Sequence, residues 1–184
     1  MILPIVAYGN AVLREKGKLI NKDYPKLKEL IDNMFETMYN SSGVGLASNQ
    51  IGLAIRLFVI DANPYLEDDP NCKDFKKVFI NAEILESSGE AVRFSEGCLS
   101  FPKIREEITR KSDIKIKYFD ENFVEHVENY EGVISRIIQH EYDHIEGKLM
   151  VDYLSSLKKR ILKRKLENII QGKVDVDYKI KFNK

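Results

Sequence analysis

The segment from residue 132 to residue 146 constrains the fold most strongly, because it places ionisable side chains on the apolar face of a helix. Five apolar residues recur here at helical spacing, namely Val133, Ile134, Ile137, Ile138 and Ile145. At about 100° per residue, His140, Glu141 and His144 lie on or beside that apolar stripe. A carboxylate that faces a protein core costs free energy unless it has a partner. The segment therefore predicts a central helix with a polar site on its buried face.

His140, Glu141 and His144 form an H-E-x-x-H motif, which places two imidazoles one helical turn apart beside a carboxylate. Such a pair can bind one metal ion, and the glutamate can act as a general base. A catalytic metal needs a third protein ligand. The extended motif of one class of zinc endopeptidase has a third histidine at the position of Met150. His126, the only other histidine, lies between charged residues on a predicted strand, so we expect it at the surface.

Cys98 is the best candidate for the third ligand. It lies within Glu96–Ser100 after a glycine, which lets the backbone approach closely, and its thiolate is a soft anionic ligand. The alternative is that Cys98 is a small buried apolar side chain, as we expect for Cys72. Glu146 and Glu167 are weaker candidates, because the first is close on the same helix and the second lies in a lysine-rich stretch.

The rest of the chain alternates between helical and strand periodicity, with no repeat or linker that divides it. The pattern predicts two further helices, at residues 25–40 and 155–171. It predicts strands at residues 56–60, 77–80, 114–118, 123–130 and 174–182. This order predicts an α+β fold, with antiparallel β-sheets packed around the central helix, N-terminal and C-terminal helices, and a final C-terminal strand. We expect a single domain spanning residues 1–184.

Charge, apolar runs and cysteine content exclude several classes of protein. Lys+Arg and Asp+Glu both number 29, so the net charge is zero and DNA binding through overall charge is not expected. No apolar run approaches the ~20 residues that cross a bilayer. The start of the chain has no basic leader, so neither a membrane partner nor a secretory signal is expected. Two cysteines do not make a disulfide framework, which fits a reducing, cytoplasmic location.

Three motifs in chain order resemble the signatures of the peptide deformylase family, and the similarity spans nearly the whole chain. They are Gly43–Gln50, Glu96–Ser100 and Gln139–His144. Ser48 is the one departure, because the family more often has alanine there. The resemblance implies removal of the formyl group from the N-terminal formyl-methionine of new polypeptides, with release of formate. It also implies one divalent metal ion, Fe²⁺ in the cell with Zn²⁺, Ni²⁺ or Co²⁺ as substitutes, held by Cys98, His140 and His144.

The same resemblance implies roles for residues around the metal ligands. Glu141 is the general base that takes a proton from water and delivers it to the leaving amine. Gln50, through its side-chain amide, and Leu99, through its backbone N–H, donate hydrogen bonds to the formyl oxygen as its negative charge grows. Five residues are implied in binding the substrate: Val44, Gly45, Gly97, Arg105 and Val133. Val44 and Gly45 are expected to pair with it as an added strand, and Arg105 and Val133 to lie near the methionine pocket.

Family position also suggests supporting contacts and a partner. Glu96 is expected to pair with Arg110 and so orient a metal ligand, and Asp143 is expected to cap or pair locally. The basic helix at residues 155–171 is implied in docking on the ribosome through RNA phosphates, although such a run is often only a solvated face. We expect the chain to act as a monomer.

Two other functions stay open on the sequence. A zinc endopeptidase of the H-E-x-x-H type would use only the helix motif and would leave Cys98 and Gln50 without roles. A non-catalytic, ribosome-associated module with a structural metal would need a closed site of four ligands, and the sequence offers three good ones. Release of formate from formyl-Met-Ala, without cleavage of casein, separates a deformylase from both.

Overall fold

Three α-helices and seven β-strands form the regular structure of residues 1–183, the part of the chain that this computed structural model describes. Lys184, which the predicted domain includes, lies outside the described residues. The helices are α1 (Leu27–Asn40), α2 (Gly132–Ile145) and α3 (Ser156–Ile170). The strands are β1 (Ile5–Val6), β2 (Gly45–Ala47), β3 (Leu57–Asp61), β4 (Lys76–Gly97), β5 (Arg105–Phe119), β6 (Glu125–Tyr130) and β7 (Ile180–Lys181). The predicted α+β class and the three predicted helices are confirmed.

Five strands pair in the spatial order β2-β3-β4-β5-β6, and every neighbouring pair is antiparallel. β4 and β5 form a long hairpin that ends with Gly97 opposite Arg105. Three register shifts interrupt this hairpin, and such bulges bend and twist a strand pair. The sequence predicted only the buried parts of the two strands, because residues 85–95 are mostly exposed and show no apolar alternation.

β3 lies at the centre of the core, because both of its faces are buried. Phe58 and Ile60 belong to the apolar cluster that contains α2 residues, whereas Leu57 and Val59 belong to the cluster that contains α1 residues. Neighbouring residues of a strand point to opposite faces, so this strand separates the two helices. The buried apolar stripe of α2 comprises Ile134, Ile137, Ile138 and Ile145. The predicted burial of the central helix is therefore confirmed.

α3 packs against the body through a narrow face. Its buried residues, Leu162 and Ile169, join a third apolar cluster that includes Phe101. The opposite face exposes a run of lysines and arginines together with Leu157 and Ile161. Among residues 1–183, no helix combines the length and the apolar character needed to cross a bilayer.

The C-terminal strand is shorter than predicted. Residues 174–182 alternate apolar and polar side chains, but only β7 pairs in a sheet, and its partner β1 runs parallel to it. The residues before β7 are held elsewhere, because the Tyr178 hydroxyl donates a hydrogen bond to the Leu99 carbonyl oxygen, 2.7 Å away. The prediction that residues 174–182 form one strand is therefore wrong in length, and this small sheet is parallel rather than antiparallel.

Candidate active site

Three potential metal ligands meet between the end of β4 and the buried face of α2. Cys98 follows β4 directly, and His140 and His144 lie one turn apart on α2. One donor atom from each residue lies within 4.8 Å of the other two. The Cys98 Sγ is 3.2 Å from the His144 Nε2. The fold thus brings together the three residues that the sequence singled out, from segments far apart in the chain.

The other candidates for ligands lie outside this cluster. His126 is on β6, where its Nε2 is 2.9 Å from the Asp120 Oδ2. Cys72 is fully buried among apolar side chains, as predicted. Met150, at the position where an endopeptidase of the extended motif has its third histidine, is buried in an apolar cluster too.

A buried carboxylate behind the cluster orients His140. The Glu96 Oε2 is 2.9 Å from the His140 Nδ1. Glu96 also accepts hydrogen bonds from Arg110 at 2.7 and 3.0 Å and from Arg136 at 3.0 Å. Because the His140 Nδ1 is engaged, its Nε2 is the nitrogen that remains to face Cys98. The expected pair between Glu96 and Arg110 is present.

Asp143 joins the same charge network from α2. It accepts a hydrogen bond from Arg110 at 2.6 Å and another from the Tyr153 hydroxyl at 2.8 Å. Its partners come from β5 and from beyond α2, so the prediction of a local cap or pair is wrong. Burial opposes the ionisation of Glu96, but hydrogen bonds from His140 and Arg110 outweigh it and hold the Glu96 pKa well below its usual range. This network keeps Glu96 ionised beneath the candidate metal site, with its charge balanced by the arginines.

Glu141 lies beside the ligands with one oxygen free. Its side chain is 4% exposed, and its Oε2 has no hydrogen-bond partner among the described residues. Burial raises the pKa of Glu141 to about 7, and the charges of Glu96 and Asp143 act in the same direction. A carboxyl group with such a pKa can exchange protons near neutral pH. An unpartnered carboxylate oxygen in a cleft is typical of a reactive group rather than a structural one.

The pKa values of the two histidines are shifted in opposite directions. Burial lowers the pKa of His140, but hydrogen bonds with Cys98 and Glu96 outweigh it and hold this pKa well above its usual value. Burial and the charge of His140 hold the pKa of His144 well below its usual value. Metals bind neutral imidazoles, so a metal ion and protons compete for these two ligands.

The donor set fits a single divalent metal ion. A thiolate and two imidazole nitrogens supply three ligands and leave a fourth position open, as in catalytic sites. Within residues 1–183, the Glu141 Oε2 is buried beside these ligands without a protein partner, which is consistent with a further polar group at this place. This combination of sulfur and nitrogen ligands suits several transition metals.

Gln50 and Leu99 bring hydrogen-bond donors next to Cys98. The Gln50 Oε1 accepts from the Ala47 N–H at 2.9 Å. Its Nε2 then lies 3.5 Å from the Cys98 Sγ and 3.4 Å from the Ser100 Oγ. The Leu99 N–H has no protein acceptor in the described part of the chain. The Gln50 Nε2 donates to the Cys98 Sγ and the Ser100 Oγ at long range, whereas the Leu99 N–H is not engaged by any described residue and is available to a group that binds beside Cys98.

A cleft of about 450 Å³ opens over these residues. Val44, Gly45, Gly97 and Arg105 line it, four of the five residues predicted to bind substrate. Val133 packs against the core cluster of α2 instead, and Ile137, one turn further along the helix, lines the cleft. The sequence analysis missed several other lining residues, among them Tyr65, Phe94 and residues 175–178. Only the apolar character of Phe94 within an otherwise polar stretch could have marked one of them.

Two glycines keep space for active-site side chains. A Cβ at Gly45 would lie 2.5 Å from the Glu141 Oε1, and a Cβ at Gly43 would lie 2.9 Å from the Leu99 Cδ1. This packing is a reason for glycine in addition to the approach of a substrate. β2 is also an edge strand, since it pairs with β3 on one side only within the sheet. Its other edge can accept an extended peptide.

The site combines a soft metal-binding cluster, a buried carboxylate of raised pKa and hydrogen-bond donors beside Cys98 in one cleft. These are the parts with which a protein activates water and stabilises an oxyanion. The fold and site define a metal-dependent hydrolase with one metal ion.

The chain belongs to the polypeptide deformylase family, whose sequence model matches residues 2–160. The peptide deformylase of Christiangramia forsetii is 56% identical over 99% of this chain and 96% of its own length. That of Flavobacterium johnsoniae is 53% identical with the same coverage. Among solved structures, the Legionella pneumophila peptide deformylase has a TM-score of 0.81 and 36% identity, covering 94% of this chain and 98% of its own. A Plasmodium falciparum peptide deformylase has a TM-score of 0.82 and 34% identity, covering 91% and 95%.

The family carries out metal-dependent removal of the formyl group from formylmethionyl nascent peptides, and this is the reaction of this chain. Family members use a single divalent metal ion, and the Cys98, His140 and His144 cluster is able to bind one. The two other functions that the sequence left open, a zinc endopeptidase and a non-catalytic metal module, have no support from these relatives.

Proposed function

We propose that Cys98, His140 and His144 hold one ferrous ion and that Glu141 is the catalytic base of the deformylation. The observation that carries the proposal is the unpartnered, buried Oε2 of Glu141 beside three ligand atoms that lie within 4.8 Å of one another. When bound, a divalent ion polarises a carbonyl group and lowers the pKa of water, so that water becomes a nucleophile at neutral pH.

Glu141 moves the proton. Its carboxylate takes a proton from the attacking water at Oε2 and later delivers it to the leaving amine of methionine. Burial raises the pKa of Glu141 in the metal-free site, which favours its acceptance of a proton. Glu96 holds His140 in one orientation. Glu141 is the next residue on the same helix, which fixes its position relative to the two histidines.

Gln50 and Leu99 stabilise the negative charge that develops on the formyl oxygen. The Leu99 N–H lies next to Cys98 and is not engaged by any described residue, and the Gln50 Nε2 exchanges its long hydrogen bonds to the Cys98 Sγ and the Ser100 Oγ for one to this oxygen. The loss of one such donor typically costs about 2.7–4 kcal/mol of barrier. Because the Ala47 N–H fixes the Gln50 Oε1, the amide presents its NH₂ side to the substrate.

The cleft positions the formylated peptide. We propose that Val44 and Gly45 pair with the extended substrate at the free edge of β2, with Gly97 on the opposite wall. Arg105 lines the cleft beside Gly97, where its Nη2 donates to the Ser95 carbonyl at 2.8 Å. Val133 supports the methionine pocket from behind Ile137 rather than from its surface.

The function is tested by product chemistry with one substitution. Purified anaerobically with iron, the chain should release formate from formyl-Met-Ala and leave casein intact. Glu141→Gln should retain the metal and lose activity by about 100-fold or more, because the amide cannot exchange the proton. Glu167→Gln makes the same chemical change on an exposed part of α3 and should keep wild-type kcat. A Glu141→Gln variant with full activity contradicts the assignment of the base.

We also propose that the helix of residues 155–171 docks on ribosomal RNA during work on nascent chains in the cytoplasm. Lys158 pairs with Glu106 at 3.0 Å and Lys163 with Glu167 at 3.9 Å, which leaves four exposed cations of this helix, Lys159, Arg160, Arg164 and Lys165, to meet phosphates. Reversal of these four charges should weaken ribosome binding in a salt-dependent manner. Equal binding by the wild type and the variant contradicts docking through this helix.

We propose that the chain acts as a monomer with one catalytic domain, residues 1–184.

A further inference from the structure

The turn that carries Cys98 is held by hydrogen bonds to three successive carbonyl oxygens. The Cys98 carbonyl accepts from the Phe101 N–H at 2.8 Å, and the Ser100 carbonyl accepts from the Tyr8 N–H at 2.8 Å. Between them, the Leu99 carbonyl accepts from the Tyr178 hydroxyl at 2.7 Å. The Tyr178 hydroxyl is the one side-chain donor among these three, and it comes from the far end of the chain.

The segment that carries Tyr178 is itself anchored. Next to it, the Ile5 N–H donates to the Lys179 carbonyl at 2.8 Å and the Ala7 N–H donates to the Lys181 carbonyl at 2.9 Å, where β1 and β7 pair. Further on, the Asn183 Nδ2 donates to the Gly9 carbonyl at 2.6 Å. Tyr178 is therefore presented from a fixed backbone rather than from a loose end.

The same segment forms part of the cleft wall. Asp175, Val176, Asp177 and Tyr178 line the cleft together with Gly97, Cys98 and Leu99. These four residues lie beyond residue 160, where the match to the family ends. The C-terminal tail thus contacts the turn that holds both a candidate metal ligand and a candidate oxyanion donor.

We propose that Tyr178 is a positioning residue for the deformylation: its hydrogen bond to the Leu99 carbonyl fixes the Leu99–Ser100 peptide and, through it, the preceding Cys98–Leu99 peptide, whose N–H then stays aimed at the formyl oxygen. The inference rests on the proposed roles of Cys98 and Leu99. Donors in such sites need placement to within about 0.5 Å, and the energy that they supply is gained in the transition state. Loss of the Tyr178 hydrogen bond should therefore reduce kcat and leave KM nearly unchanged.

Tyr178→Phe tests this role, because it removes the hydroxyl and keeps the ring. We expect kcat for formyl-Met-Ala to fall about five- to tenfold, as the net loss of one hydrogen bond implies, with KM unchanged within about twofold. Hydrogen–deuterium exchange at residues 98–101 should become faster. Asn183→Ala is the matched control, because it removes another hydrogen bond of the same tail without reaching the turn, and it should keep wild-type kcat and exchange.

Three results would overturn the inference. They are wild-type kcat in Tyr178→Phe, a change confined to KM, and an equal loss in Tyr178→Phe and Asn183→Ala, which would show general loosening of the tail. If the wild type itself releases no formate, the proposed function fails. The exchange of residues 98–101 then still decides whether Tyr178 holds the turn.

Discussion

A single added methyl group at Gly45 should displace the proposed catalytic base. An alanine Cβ there would lie 2.5 Å from the Glu141 Oε1 and 2.8 Å from its Cδ and Cγ, whereas ordinary contact begins at 3.4 Å. The carboxylate must therefore retreat by about 1 Å, and a misplacement of that size typically costs about 100-fold in rate. Glu141 is 4% exposed, so its retreat also overpacks the core, which costs about 1–3 kcal/mol of stability.

The assay is steady-state formate release by Gly45→Ala, with the metal content and the thermal midpoint measured in parallel. We expect kcat to fall about 100-fold while one metal ion per chain is retained, because the three ligands are not touched. Gly89→Ala is the matched control. Its Cβ would lie 2.1 Å from the Ser112 Oγ in the exposed β4–β5 hairpin, so it should lower stability without lowering kcat.

A double substitution separates this cause from others. If Gly45→Ala acts by moving Glu141, it should add little to the loss already caused by Glu141→Gln, because effects through one group are not additive. Wild-type kcat in Gly45→Ala, or full additivity with Glu141→Gln, would refute the reasoning.

Two further predictions concern the charge networks. Arg110→Met should lower the free energy of unfolding by about 3–5 kcal/mol in a urea titration, because it leaves Asp143 buried without an ion-pair partner among residues 1–183 and removes the bidentate partner of Glu96, which keeps Arg136; an unchanged urea midpoint would contradict this. Burial raises the pKa of Glu128, but hydrogen bonds from two tyrosines and a lysine outweigh it and lower this pKa from 4.5 to about 2. Its contribution to stability is present above the unfolded pKa and is lost as the pH falls from about 4.5 to about 2. Glu128→Gln should therefore flatten the pH dependence of unfolding in that window, and an unchanged slope would count against the assignment.

The central helix was predictable because its signal is local. The apolar residues of α2 and the spacing of His140 and His144 lie within fifteen consecutive positions, and periodicity alone places them on one face. The length of the β4–β5 hairpin was not predictable in this way. Most of its middle is exposed and interrupted by bulges, so no alternation of buried and exposed residues marks it.

Part of the candidate site could also be predicted from local sequence, and part could not. Cys98 could be chosen from its glycine neighbour and its thiolate chemistry, and the structure places it beside the two histidines. The contact between Gly45 and Glu141 was not readable, because it joins a strand to a helix that lie far apart in the chain. The position of Tyr178 could not be predicted from the sequence either. An alternating segment predicts a strand, but it does not indicate which carbonyl oxygen a tyrosine hydroxyl will reach.

The pairing of β1 with β7 has a consequence for how the protein folds during translation. β1 leaves the ribosome long before β7, so the amide groups of Ile5 and Ala7 find their acceptors only after Lys179 and Lys181 have been translated. Shorter, unfinished copies lack the Tyr178 contact altogether. An enzyme that acts on nascent chains thus completes the turn of its own cleft only after residues 178–181 have been synthesised.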